Sequence, residues 1–207
     1  MQNISVSFGE RDVLRNISFD IAKSDRVGLI GSNGSGKTTL FNVITGKLEP
    51  NEGAVVKASG TVIGCVEQHA CAESKRSVYD ELLTVFSHLE RAEAELEDIH
   101  RKVELTDGTV PEYIEKQSEL TEYYQANGGL TYRARAHSCL KGLGFSPSEE
   151  DLPVSALSGG QRTKLSLGKL LLSEPDLMLL DEPTNHLDTV SVEWLEDFLA
   201  KFSGSLI

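Results

Sequence analysis

"RVGLIGSNGSGKTTLFNVITG", residues 26–46, decides the fold. An apolar segment, Val27 to Ile30, runs into Gly31, four intervening residues, then Gly36, Lys37 and Thr38, and a helical run from Thr39 to Thr45 follows. Strand, glycine-rich turn and helix in that order are the setting in which the P-loop pattern binds phosphate. Amide groups at a helix start have no partner within the helix, and the helix dipole adds positive potential there, so an anion is stabilised. Gly31, Gly34 and Gly36 let the backbone approach it, with Ser32, Asn33 and Ser35 between them and Thr39 in the first helical turn completing the nucleotide-binding set. Lys37 is placed to reach terminal phosphates, and the Thr38 hydroxyl to ligate magnesium. The plainer alternative is a glycine-rich turn without a ligand.

Further along, "LMLLDEPTNHLD" spans Leu177 to Asp188. Its apolar start, Leu177 to Leu180, reads as a buried parallel strand, and the acids Asp181 and Glu182 fall at the strand's C-terminal end, where open α/β sheets place ligands. Asp181 is expected to hold magnesium, and Glu182, pointing differently one residue on, to orient or deprotonate an attacking water. Capping of the next helix is the simpler use for such acids. P-loop and acid pair together read as a nucleotide hydrolase.

Composition narrows the classes. With 207 residues the chain can bury one core with a smaller attached lobe, and 39% hydrophobic with 25% charged residues suits a folded globular protein. No apolar run approaches the roughly 18 to 20 residues that span a bilayer, and "MQNISVSFGERD" lacks the regions of a signal peptide, so a cytoplasmic location is expected. Three cysteines without CxxC spacing argue against a disulfide framework, and Cys65, His69 and Cys71 lack a fourth ligand for a metal. The net charge of −12 opposes loose binding to nucleic acid.

Between the two motifs lies "LSGGQRTKLSLGKLLL", residues 157–172. Ser158 and the paired glycines at a helix start form a second anion-binding end, a plain helix N-cap being the alternative. With this third motif the chain resembles the ATP-binding cassette (ABC) superfamily, whose signature matches Leu157, Ser158, Gly159, Gly160 and Gln161. The resemblance implies that Gln68 matches the Q-loop glutamine, which senses magnesium and the attacking water, and that Phe8 matches an aromatic stacking on adenine; a core strand aromatic is the other reading of Phe8. Asp188 matches the D-loop, and His186 is expected at an interface rather than as a catalytic base. It further implies ATP and Mg2+ as cofactors and a second cassette as partner, each P-loop facing the other's signature. The family's switch histidine has no match before the final "SGSLI", which suggests a fragment.

"PTNHLD" resembles the ABC-F group, and 89 positions separate Gln68 from Leu157, a longer interval than in transporter ATPases. Leu82, Val85, Leu89, Ala92, Leu96, Ile99 and Val103 form an apolar stripe expected along one long helix. Ile114, Leu120, Thr121 and Tyr124 give a weaker stripe on a second helix after Pro111, so the two are expected to pair as a hairpin resembling the arm of ABC-F first cassettes. From His88 to Tyr124 four basic and eleven acidic residues leave a charge of −7. Glu93, Glu97, Asp98, Glu115, Glu119 and Glu122 are expected to form an exposed negative surface, suited to a basic ribosomal protein. An arm without a partner is the bland alternative.

The expected fold is an α/β P-loop NTPase cassette with an antiparallel β subdomain and a helical subdomain carrying the arm. Residues 1–75 form the first part of the core, 76–152 the helical insert, and 153–207 the part with signature, acid pair and D-loop. The expected activity is Mg-dependent ATP hydrolysis at half-sites in an ABC-F protein acting on ribosomes, with a membrane transporter's ATPase subunit or a DNA-repair cassette as rivals.

Overall fold

Alternation sets the N-terminal sheet. In Gln2–Phe8 (β1), Ile4 and Val6 are buried while the residues flanking them are not, the period-2 signature of a strand with one covered face. β1 pairs antiparallel with Arg11–Ile17 (β2) and with Glu52–Ala54 (β3), which makes the expected antiparallel β subdomain. A parallel sheet has Leu177–Leu179 (β5) between Ile63–Cys65 (β4) and Ser205–Leu206 (β6). The central strand is the apolar run ahead of the acid pair, and its Met178 and Leu179 are buried. Lys37–Thr45 (α1) buries Leu40, Phe41, Val43 and Ile44 against Ile4, Val6, Leu14, Leu179 and Ile207.

The computed structural model describes residues 1–66, 74–105 and 111–207, so Gln68, His69 and Cys71 lie outside the described residues. Helices in the remainder are Val78–Leu83 (α2), Ser87–Leu105 (α3), Pro111–Ala126 (α4), Tyr132–Gly142 (α5), Pro147–Glu150 (α6), Gly159–Leu172 (α7) and Thr189–Lys201 (α8). Two compact units result: Met1–Ala70 with Ser173–Ile207, and Cys71–Leu172. The sheets, α1 and α8 belong to the first, and helices α2 to α7, including the signature helix α7, to the second.

Two sequence expectations are corrected in detail. Val27 to Ile30 does not form a strand: a single parallel bridge joins Arg26 to Leu206, Val27 N–H donates to Leu206 O at 2.8 Å, and Ile30 is 96% exposed. Hydrophobicity without a lateral partner does not make a ladder. The stripe from Leu82 to Val103 is buried or half-buried as expected, yet it is not one helix, because a 3-10 turn at Thr84–Phe86 separates α2 from α3. In a 3-10 turn residues three apart eclipse. Leu83, Phe86 and Leu89 are accordingly all buried, and Phe86 meets the Tyr132 ring at 5.5 Å between centroids.

Helix α4 opens at Pro111, where the missing N–H is harmless, and packs along α3. Leu120, Thr121 and Tyr124 are half-buried as expected, together with Tyr113 and Gln117, whereas Ile114 is 52% exposed and Tyr113 takes the inward position instead. Glu93 also departs from expectation. Arg133 donates two hydrogen bonds to it at 2.9 and 2.7 Å, and the Tyr132 and Tyr124 hydroxyls add others at 2.9 and 3.4 Å. Those bonds, Arg133's first among them, hold its carboxyl below the usual carboxylate range. It is a joint between α3 and α5, not a free surface charge. Asp98 is paired with Lys102 at 2.6 Å, which leaves Glu97, Glu115, Glu119 and Glu122 as the exposed members.

Among the described residues of the helical unit, one carboxylate is buried. Glu81, 6% exposed, accepts from Lys169 Nζ of α7 and from Ser74 Oγ at 2.7 Å. Burial opposes its charge, but the hydrogen bonds from Lys169 and Ser74 outweigh burial and keep the carboxyl below its ordinary value.

Candidate functional site

The loop after Ile30 is shaped by backbone demands. Gly36 has φ 100°, and a Cβ there would meet Val13 Cγ1 at 2.9 Å and Leu14 Cδ2 at 3.0 Å; at Gly31 a Cβ would meet Ser35 Oγ at 2.4 Å. Gly36 therefore needs glycine, for conformation and for closeness to β2, whereas a side chain at Gly31 would have to displace the Ser35 hydroxyl. With Ser35 N–H donating to Ser32 O at 3.1 Å, the loop through Ser32, Asn33, Gly34 and Ser35 turns tightly into α1, which no side chain caps at its N-terminus. Lys37 and Thr38 thus leave the first helical turn, followed by Thr39.

Two motifs far apart in sequence meet here. Thr38 Oγ1 donates to Asp181 Oδ2 at 2.8 Å across 143 residues. Lys37 Nζ donates to Gly31 O at 2.8 Å and lies 3.9 Å from Glu182 Oε1. Asp181 and Glu182 follow the central parallel strand, and a positive φ of 49° at Glu182 turns its side chain away from that of its neighbour. Asn185 Nδ2 donates to Glu182 Oε2 at 2.9 Å, and its backbone N–H to Glu182 O at 3.1 Å. Sequence reasoning used Asn185 only as a family marker; its spacing of three from Glu182 in a turn was the signal for this orienting contact.

The hydroxyl and carboxylate of Thr38 and Asp181 are hard oxygen donors, which suits magnesium. Among the described residues no group of three or more His, Cys, Asp or Glu could cage a metal. Magnesium commonly takes one or two protein oxygens and completes its shell with phosphate oxygens and water, so the residues present fit Mg2+ held together with a nucleotide.

Phe8 ends β1 opposite Arg11 and is 55% exposed, which overturns its reading as a core aromatic and leaves its ring open for stacking. In the helical unit Leu157 is buried, and Gly159 and Gly160 open α7. Ser158 Oγ accepts from Gln161 N–H at 3.2 Å, while Gln161 Oε1 accepts from Ser158 N–H at 2.9 Å. The plain N-cap is thus realised, and the Gln161 side chain takes part in it. Gln161 Nε2 donates onward to Glu149 Oε1 of α6 at 2.7 Å, a contact that no motif announces. Asp188 caps α8, accepting from Ser191 N–H at 2.8 Å, and His186 holds φ 74° in the turn before it.

A P-loop joined through Thr38 to an acid at the end of a central parallel strand defines a nucleotide-binding cassette. A family model described as ABC transporter matches residues 14–185. ABC transporter F family member 5 of Arabidopsis thaliana is 35% identical over 208 residues, covering 97% of this chain and 30% of that protein. Energy-dependent translational throttle protein EttA of Mycobacterium tuberculosis is 32% identical over 209 residues, covering 100% of this chain and 36% of that protein. A solved structure described as the ATP binding subunit of an ABC transporter superposes with TM-score 0.63 at 20% identity, covering 99% of this chain and 76% of that one, which is a likeness of fold. The chain spans about a third of the length of such curated relatives. It belongs to the ABC superfamily, as an ATP-binding cassette of the ABC-F type. Among the described residues no helix is long and apolar enough to cross a membrane.

Proposed function

We propose that this cassette binds and hydrolyses Mg-ATP as one half of a two-cassette ABC-F protein that works on ribosomes in the cytoplasm. The observation that carries the reading is the convergence of Thr38, Asp181, Lys37 and Glu182 at one strand end. Lys37 exchanges its carbonyl partners for β- and γ-phosphate oxygens, and the amides at the start of α1 cradle the phosphates. Thr38 and Asp181, joined by Gln68 as the family resemblance implies, would hold magnesium, which would supply charge neutralisation on the phosphate oxygens. Glu182, oriented by Asn185, accepts a proton from the attacking water as that water's oxygen bonds to the γ-phosphorus and the bond to the bridging oxygen of ADP breaks. Phe8 stacks on the adenine. Ser158 and the signature glycines receive the γ-phosphate from a second cassette, and Asp188 lies along the contact between the two.

A role in translation is supported by the relation to the throttle protein EttA and by the paired helices α3 and α4, whose exposed acids suit a basic ribosomal protein. Full-length protein carrying Glu182→Gln, which retains ATP, should cosediment with ribosomes when ATP is present and not with ADP. Glu97→Gln, Glu115→Gln, Glu119→Gln and Glu122→Gln together should lower that binding and flatten its salt dependence. Absence of ATP-dependent cosedimentation, with recovery in membranes instead, would transfer the protein to the transporter class.

A further inference from the structure

The signature does not hold itself in place. Ser146 N–H and Oγ donate to Glu149 Oε2 at 2.8 and 2.7 Å, which caps the short helix α6. The other oxygen, Oε1, accepts from Gln161 Nε2. A carboxylate accepts and does not donate, so this contact dictates which end of the Gln161 amide faces Glu149: the NH2 must, and Oε1 is left for the Ser158 N–H. The circuit closes when Gln161 N–H donates to Ser158 Oγ. Every donor in it has one acceptor of the right sense. Ser158 Oγ accepts the Gln161 backbone N–H with one of its two lone pairs, and no bond of the circuit uses the hydroxyl proton, which can be donated outward with the polarity that a phosphate oxygen requires.

We propose that Glu149, outside every motif of the family signature, is a positioning residue for the ATP-sandwiching step: it fixes the Gln161 amide so that Ser158 meets a γ-phosphate as a donor. This rests on the reading of Leu157–Gln161 as the face that closes over a second cassette's nucleotide. Hydrogen bonds to Ser146 and Gln161 hold the Glu149 carboxyl below its usual range, so it stays an acceptor throughout neutral and mildly acidic conditions.

The polarity of the circuit supplies the test. In Glu149→Gln the new amide must present its oxygen to Ser146 N–H, which turns its NH2 toward the Gln161 NH2, donor against donor. Gln161→Glu sets two carboxylates against each other. The double variant Glu149→Gln, Gln161→Glu restores the sequence of donors and acceptors with the roles exchanged. In full-length protein carrying Glu182→Gln, labelled ATP retained after rapid desalting reports closure of the sandwich. Release is expected to become biphasic in Glu149→Gln, one phase about tenfold faster, as fits a half-buried hydrogen bond left unmade, and the double variant should recover most of that factor. Nucleotide affinity measured on the 207-residue chain should stay within twofold, because the P-loop does not enter the circuit. Ser158→Ala separates the two ideas. If it leaves ATP retention untouched, the signature reading itself falls; if it speeds release while Glu149→Gln does not, or the double variant recovers nothing, the positioning role of Glu149 is overturned.

Discussion

The carboxylates of the two units are treated in opposite ways. In the phosphate-binding unit Asp181 and Glu182 are exposed, each held by a short polar contact, to Thr38 and to Asn185. In the helical unit Glu81, Glu93 and Glu149 are buried or half-buried and bound on both oxygens. An acid that must take a proton or share a cation needs an open coordination position and an adjustable partner. An acid that fixes one helix against another needs neither, and burial strengthens its bonds while making a lost partner expensive. Substitutions in the first group should therefore change chemistry and leave folding alone, and those in the second should do the reverse.

The largest effect expected is on turnover. Glu182→Gln keeps the hydrogen-bonding shape but removes the basic oxygen, and loss of a general base lowers the chemical step by about 100- to 10,000-fold. Single-turnover phosphate release in full-length protein should fall by that order with ATP affinity kept. Lys37→Ala is the counterpart: loss of a charge-assisted contact to phosphate should weaken nucleotide binding by about 10- to 100-fold, seen by calorimetry. The melting temperature of the nucleotide-free protein should move little in either case. Hydrolysis surviving Glu182→Gln would remove the acid from its assigned role.

These assignments were legible because their residues lie in short runs whose spacing fixes geometry: Gly31 to Thr38 turns around one loop, and Asp181 and Glu182 end one strand. The meeting of Thr38 with Asp181 follows from packing: α1 shares a core with Leu179 of the central strand, and the acid lies just past that strand's end. The contacts of the helical unit carry no such spacing. Glu81 finds Lys169 across 88 residues and Glu93 finds Arg133 across 40, and each acid looks in the sequence like one more charge on an acidic helix. The 3-10 turn at Thr84–Phe86 was hidden for a related reason: the apolar stripe continues through it, Leu82, Val85, Phe86 and Leu89 all being buried or half-buried. Apolar content also misled at Val27–Ile30 and at Ile114, where neighbours rather than hydrophobicity decide burial.

The next effect in size tests the helical unit. Lys169→Met leaves Glu81 buried with Ser74 alone, and removing one partner of a buried ion pair destabilises by about 3 kcal/mol or more. Denaturant unfolding should register that loss. The double variant Glu81→Leu, Lys169→Met should regain much of it, since apolar replacement of a whole buried pair is often neutral or better. Equal loss in single and double variants would mean that packing, not the charge left behind, sets the penalty.

The smallest effect sharpens the contrast through pH. Glu93 has its folded pKa depressed by Arg133 and the tyrosine hydroxyls, so its contribution is fully present above the unfolded value, about 4.3 for a glutamate, and is lost as pH falls through the lower folded value. Glu93→Gln cannot ionise and leaves Arg133 with a neutral partner. At neutral pH it should cost about 1.5 to 3 kcal/mol, the range for hydrogen bonds to a charged group. The gap between wild type and variant should then close as the pH drops below about 4. Other depressed acids, Glu81 and Glu149 among them, titrate in both proteins and cancel in the difference. Urea midpoints measured for the pair from pH 7 to pH 3 give that difference directly. A gap that stays constant over the range would show that Glu93 ties α3 to α5 by shape and neutral hydrogen bonding, and the opposition between adjustable acids and structural ones would then rest on Glu81 and Glu149.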